Sequence, residues 1–181
     1  MEKKKTIHNN KGFSLVEMLI VVALLSILIS IAIMSYSTVT NAQLSEAART
    51  YEAAINTAIA QSMAKGSEAG KLTIGMENGE LYYMIGDTAT APKEEICDAR
   101  FTPRYIMGST GGYTPGTGAP LGIPFADGCE YTIYFNSNGT VDTVNSTSGG
   151  ISRLTFSFNN RVIEVFLYLE TGKHDVIMHY M

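Results

Sequence analysis

The sequence predicts an α+β chain: one long N-terminal helix followed by an antiparallel β-meander. Three observations carry this. No proline interrupts Phe13 to Lys65, and Gly66 follows as a stop. From Phe13 to Met34 the chain is apolar apart from Ser14, Glu17, Ser26 and Ser30. After Gly66 the apolar spacing changes from three-and-four to two. These divide the chain into a basic leader at 1–12, a membrane-spanning helix at 13–34, an amphipathic half of the same helix at 35–65, and a β-rich domain at 66–181.

The apolar run from Phe13 is on the order of 30 Å long as a helix, enough to cross a bilayer's hydrocarbon core. Lys3, Lys4, Lys5 and Lys11 precede it, and Arg49 is the one basic residue between Met34 and Ala64. The positive-inside rule keeps the leader in the cytoplasm and sends the rest out. An ordinary signal peptide would have a shorter apolar core without a carboxylate, then small residues at a cleavage site. A permanent anchor would explain the length and the lysines but not Glu17. A carboxylate at membrane depth costs several kcal/mol or more, so Glu17 is a candidate functional residue.

Gly12-Phe13-Ser14-Leu15-Val16-Glu17 resembles the class III signal of type IV pilins and type II secretion pseudopilins. The resemblance covers roughly the first third of the chain. It implies cutting after Gly12 by a prepilin peptidase and methylation of the new Phe13 amine. It makes Glu17 the acidic residue needed for assembly. It also implies a pilin-like fold and sister subunits as partners, with an assembly platform and an ATPase. The route runs from membrane lipid in the inner membrane to an extracellular pilus or a periplasmic pseudopilus. Physically, a new amine at the helix start and a carboxylate one turn along share a face. Glu17 meets its own terminus in a monomer, or the Phe13 amine of a neighbour in a filament. Many type IV pilins have a proline where this chain has Met34 and a glycine where it has Ser26. Their absence favours a minor pilin or pseudopilin over the major subunit.

The amphipathic half of the helix places Leu44, Ala48, Tyr51, Ile55, Ala58, Ile59 and Ser62 or Met63 on one stripe, for a sheet to cover. Lys71 to Met76 and Glu80 to Ile85 flank Asn78-Gly79, a hairpin signal. Asp87 to Gly128 reads as irregular, and its Gly/Pro-rich part, 102–124, reads as an exposed loop for subunit contacts or for covering a sheet edge. Strands are expected at Tyr131 to Phe135, Thr140 to Val144, Arg153 to Phe158, Val162 to Leu169 and His174 to Tyr180. Leu154, Phe156 and Phe158 alternate, as do Ile163, Val165, Leu167 and Leu169, so each set faces the helix or a second sheet. The tail looks like the branch typified by general secretion protein H, on the strength of Asn138-Gly139 and Gly172.

Cys97 and Cys129 are the only cysteines. In an exported domain a disulfide closing the Gly/Pro-rich stretch is expected; free buried thiols are the alternative. No Cys-x-x-Cys or matching histidine spacing supports a metal site. No phosphate loop, nucleophile elbow or His-Glu-x-x-His motif is present, so neither a cofactor nor an enzyme is expected. The chain has 13 basic and 17 acidic side chains; cutting after Gly12 removes four lysines and one glutamate, leaving 9 and 16. That acidic balance makes nucleic acid an unlikely partner. The sequence thus points to a filament subunit. The alternatives are a tip adhesin or binding module, and an anchored domain that never polymerises.

Overall fold

The computed structural model of the 181-residue chain describes residues 13–108 and 122–180. The chain divides into two compact units, Met1–Thr40 and Asn41–Met181. Helix α1, Leu15–Lys65, supplies residues to both. It contains neither glycine nor proline, so every residue after its first turn can donate into the ladder. It stops where Gly66 takes φ +97° and gives its N–H to the Ser62 carbonyl at 2.9 Å, a left-handed C-terminal cap.

Among the described residues ten strands follow: β1 (Leu72–Glu77), β2 (Glu80–Ile85), β3 (Glu94–Asp98), β4 (Arg104–Met107), β5 (Ile123–Pro124), β6 (Glu130–Phe135), β7 (Val141–Asp142), β8 (Ile151–Phe158), β9 (Arg161–Leu167) and β10 (His174–Tyr180). They form two antiparallel five-stranded sheets, ordered β3-β2-β1-β6-β7 and β10-β9-β8-β4-β5. The β1–β2 hairpin turns on Asn78 (φ 53°) and Gly79 (φ 81°), both left-handed, as the Asn-Gly pair requires.

Within the second unit, Leu44, Ala47, Ala48, Tyr51, Ala54, Ile55 and Ala58 of α1 are buried. They join Leu72 and Ile74, Ile133 and Phe135, and Leu154, Phe156, Ile163, Val165 and Leu167 in one core. The alanines let the helix backbone sit close to the strands. At the last turn the stripe runs through Ser62, fully buried, and leaves Met63 exposed. The Ser62 hydroxyl donates to the Phe135 carbonyl, tying helix to β6.

Several expectations are corrected. Asp87 to Gly128 contains strands: β3 pairs with β2, and β4 pairs with β8 far along the chain. The 102–124 stretch is therefore not wholly an exposed loop. Tyr105 is buried, its ring centroid 4.7 Å from that of Phe125 and 4.6 Å from that of Tyr131, and its hydroxyl shares a 2.6 Å hydrogen bond with that of Tyr131. This cluster stitches β4 to β6 of the other sheet, and that hydrogen bond pushes the Tyr131 phenol up from its ordinary range. Residues 109–121 of the expected loop lie outside the described residues. The strands divide between two sheets: β1-β2-β3 and β8-β9-β10 are each a meander, while the β1–β6 and β4–β8 pairings join segments far apart in the chain. The strand expected at Thr140 to Val144 shrinks to Val141–Asp142. There the Asp142 carboxylate accepts from the Val144 and Asn145 backbone N–H groups and the Asn145 amide, curling the chain away.

The expected disulfide is not formed. Cys97 and Cys129 are free. The Cys129 carbonyl accepts from Met76 N–H, Met76 faces Leu81, and Leu81 faces Cys97. Three strand spacings separate them, on the order of 14 Å, against about 7 Å at most for a bridge. The Cys97 thiol is buried, and burial pushes its pKa up to about 12.

Tyr51 is fully buried and its hydroxyl has no hydrogen-bond partner among the described residues. Burial drives its pKa well above the ordinary value. Tyr51→Phe removes an unsatisfied polar group without removing the ring, and is expected to stabilise by about 1 kcal/mol. Urea unfolding followed by near-ultraviolet tyrosine circular dichroism would show a higher midpoint. A lower one would mean that the hydroxyl contributes a bond.

Candidate functional site

The candidate site is the start of α1. Phe13 and Ser14 precede the helix, and Glu17 lies in its first turn. Gly12 and the basic leader lie outside the described residues. Phe13 is 79% exposed and Leu15 81% exposed. The apolar side chains that follow, through Val39, are exposed as well. The helix is long and apolar enough to cross a membrane.

Glu17 makes specific contacts. Ser14 N–H donates to Glu17 Oε2 at 2.9 Å, and Glu17 N–H donates to Ser14 Oγ at 3.2 Å. This is a reciprocal capping box, with Ser14 as the N-cap and Glu17 three residues on. It satisfies two backbone donors that no helical carbonyl can reach and sets a negative charge at the positive end of the helix dipole. The carboxylate thus sits one residue from Phe13. The Ser-x-x-Glu spacing that marks this capping box is itself legible in the sequence.

The other polar groups of the run serve the helix itself. Ser26 Oγ donates to the Ala23 carbonyl and Ser30 Oγ to the Ser26 carbonyl, each at 2.8 Å. Neither hydroxyl needs water, which suits a helix surrounded by lipid or by sister helices. Glu17 is different: it is the only charged side chain between Phe13 and Ser45. Elsewhere, among the described residues, no group of three or more histidine, cysteine, aspartate or glutamate side chains could hold a metal ion. His174 and His179 approach carboxylates rather than each other: His174 lies 3.3 Å from Glu52 and His179 lies 4.0 Å from Glu164.

An apolar helix opened by a capped carboxylate and followed by antiparallel sheets is the α+β arrangement of pilin-like proteins. Residues 7–33 match the prokaryotic N-terminal methylation motif, the prepilin signal of type IV pilins and pseudopilins. No curated protein and no solved structure matches the chain. The motif supports a type IV pilin-like subunit processed by a prepilin peptidase, with a structural rather than a catalytic role. It implies other pilin subunits and processing and assembly machinery as partners.

Proposed function

We propose that this chain is a structural subunit of a type IV pilus-like filament, and a minor pilin or pseudopilin rather than the major subunit. In this reading the leader is cut after Gly12 and the Phe13 amine is methylated. The chain waits as a single span in the cytoplasmic membrane and is then drawn into the filament by the platform and its ATPase. The methylation motif together with the placement of Glu17 carries the reading. In the isolated chain the carboxylate is occupied by the Ser14 backbone, adjacent to the residue whose amine would be exposed. In a filament it would trade that cap for the Phe13 amine of a neighbour. A charge pair in a low-dielectric core is far stronger than in water, so the trade fixes axial register. The helix, unbroken through Met34, supports a subunit that stays rigid there.

Mass spectrometry of the mature protein is expected to show a chain beginning at methylated Phe13. An uncut leader would leave a membrane-anchored domain instead. Glu17→Ala is expected to be cut normally yet to be missing from sheared surface filaments. Its normal incorporation would remove the pairing role from Glu17.

A further inference from the structure

The two sheets have four outer edges, and they are not alike. The β3 edge is acidic, with Glu94, Glu95 and Asp98, and its pairing with β2 shifts register between Leu81 and Tyr82. The β7 and β5 edges are two residues long, and β5 ends in Pro124. Shortness, charge, bulges and proline are the devices that keep sheet edges from pairing. The β10 edge is neither short nor bulged and has no proline, and Asp175 is its one acidic side chain. It is seven residues long and keeps unbroken register with β9, from His174 opposite Leu167 to Tyr180 opposite Arg161. It carries neither lysine nor proline, and Val176, Met178 and Tyr180 are 40%, 46% and 75% exposed.

The backbone of β10 is set to pair. Tyr168 N–H donates to the Lys173 carbonyl at 2.8 Å. Hydrogen-bonded pairs alternate along an antiparallel ladder, so Asp175, Ile177 and His179 spend their backbone groups on β9. Those of His174, Val176, Met178 and Tyr180 point outward.

The sequence of β10 is complementary to its own reverse. Laid antiparallel on a second copy and centred on Ile177, Val176 meets Met178, Asp175 meets His179 and His174 meets Tyr180. Each pair stands on one face of the joint sheet, because residues an even number apart share a face. Apolar meets apolar, a carboxylate meets an imidazole, and ring meets ring. Such cross-strand pairs each contribute roughly 0.2–1 kcal/mol.

We propose that β10 is a pairing edge whose partner is β10 of a second copy of this chain, antiparallel and centred on Ile177. The joined sheets would run continuously across ten strands. The two-fold axis stands perpendicular to the sheet and reverses every direction within it. Glu52 and Asn56 of α1 lie 3.3 and 3.4 Å from His174, and this part of the helix packs on the sheet, so its direction along the sheet is reversed too. The contact therefore joins subunits that point opposite ways. On the filament reading above, it links two antiparallel filaments side by side rather than successive subunits of one. Only that placement rests on the filament reading; the pairing itself does not.

The test uses the full chain in detergent, with Cys129→Ser to leave Cys97 buried. Ile177 would face its own copy as a non-hydrogen-bonded pair, with Cα atoms about 4.5 Å apart, within disulfide reach. Ile177→Cys is expected to give a covalent dimer on mild oxidation. Tyr180→Cys is expected to stay monomeric, because its copy lies six residues out of step, about 20 Å away. Adding Val176→Lys to Ile177→Cys places a charge against Met178 of the second copy and should abolish the cross-link. Failure of Ile177→Cys to cross-link would overturn the proposal. So would equal cross-linking through Tyr180→Cys, or cross-linking of Ile177→Cys to a different protein. The mass of the mature amino terminus, read on the same samples, reports separately on the filament reading.

Discussion

Arg153→Met is expected to destabilise the unit of residues 41–181 by about 3–5 kcal/mol. Arg153 and Glu164 keep only 2% and 0% of their side-chain surface exposed, and Arg153 Nη1 lies 3.0 Å from Glu164 Oε1. The pair sits on β8 and β9, where Arg153 faces Phe166 and Thr155 faces Glu164. The guanidinium carbon is 5.8 Å from the Phe166 ring centroid, which replaces part of its lost hydration with a favourable ring face. Methionine fills much of the same space but leaves the buried Glu164 carboxylate without the Arg153 counter-charge. The second variant decides the cause. Arg153→Met with Glu164→Leu removes both charges, and well-packed apolar replacements of a buried pair are often neutral or stabilising. The double variant should therefore recover most of the loss, giving a large coupling in a double-mutant cycle. Urea midpoints from near-ultraviolet circular dichroism supply the numbers. A loss below about 1 kcal/mol in the single variant would place the pair among ordinary surface salt bridges.

This pair also shows where sequence reading stops. The alternation of Leu154, Phe156, Ile163, Val165 and Leu167 was legible, and those side chains are in the core. The same alternation sends Arg153, Thr155 and Glu164 to the other face, where charge reads as solvated. All three are buried. Period two gives the face a side chain takes but not whether that face is covered, because cover comes from elsewhere in the chain. The helix was legible almost to the residue, since lack of breakers and a glycine stop are local facts. The Asn78-Gly79 hairpin was legible for the same reason. β3 and β4 were not, because four- and five-residue strands flanked by Pro92, Pro103 and Gly108 owe their existence to distant partners on β2 and β8. The disulfide expectation failed in the same way: spacing along the chain says nothing about the two strands that lie between Cys97 and Cys129. At the helix start, the pairing of Ser14 with Glu17 was legible too, because both belong to one local Ser-x-x-Glu pattern.

Gly70→Val is expected to destabilise the same unit by more than about 3 kcal/mol, and Gly70→Ala by a substantial part of that. The cause is a close approach that the helix end imposes. After Gly66 the chain turns back along the last turn of α1, with Gly70 N–H reaching the Gly66 carbonyl at 3.4 Å. A Cβ on Gly70 would lie 2.3 Å from the Ala58 carbonyl oxygen and 2.5 Å from the Ser62 N and Cβ. Two of those three atoms are backbone, so no rotamer change relieves the clash. Either the helix end lifts or β1 moves, and both are fixed: Ser62 donates to the Phe135 carbonyl, and Leu72 is fully buried two residues on. Gly108 supplies the contrast. Its φ is +73°, but among the described residues nothing lies within 4 Å of the Cβ position, so against them Gly108→Ala carries only the left-handed backbone cost of about 1–2 kcal/mol. Gly70 is not among the positive-φ glycines, so its loss reports contact alone. Tolerance of Gly70→Ala within about 0.5 kcal/mol would mean that the end of α1 is free to move off the sheet.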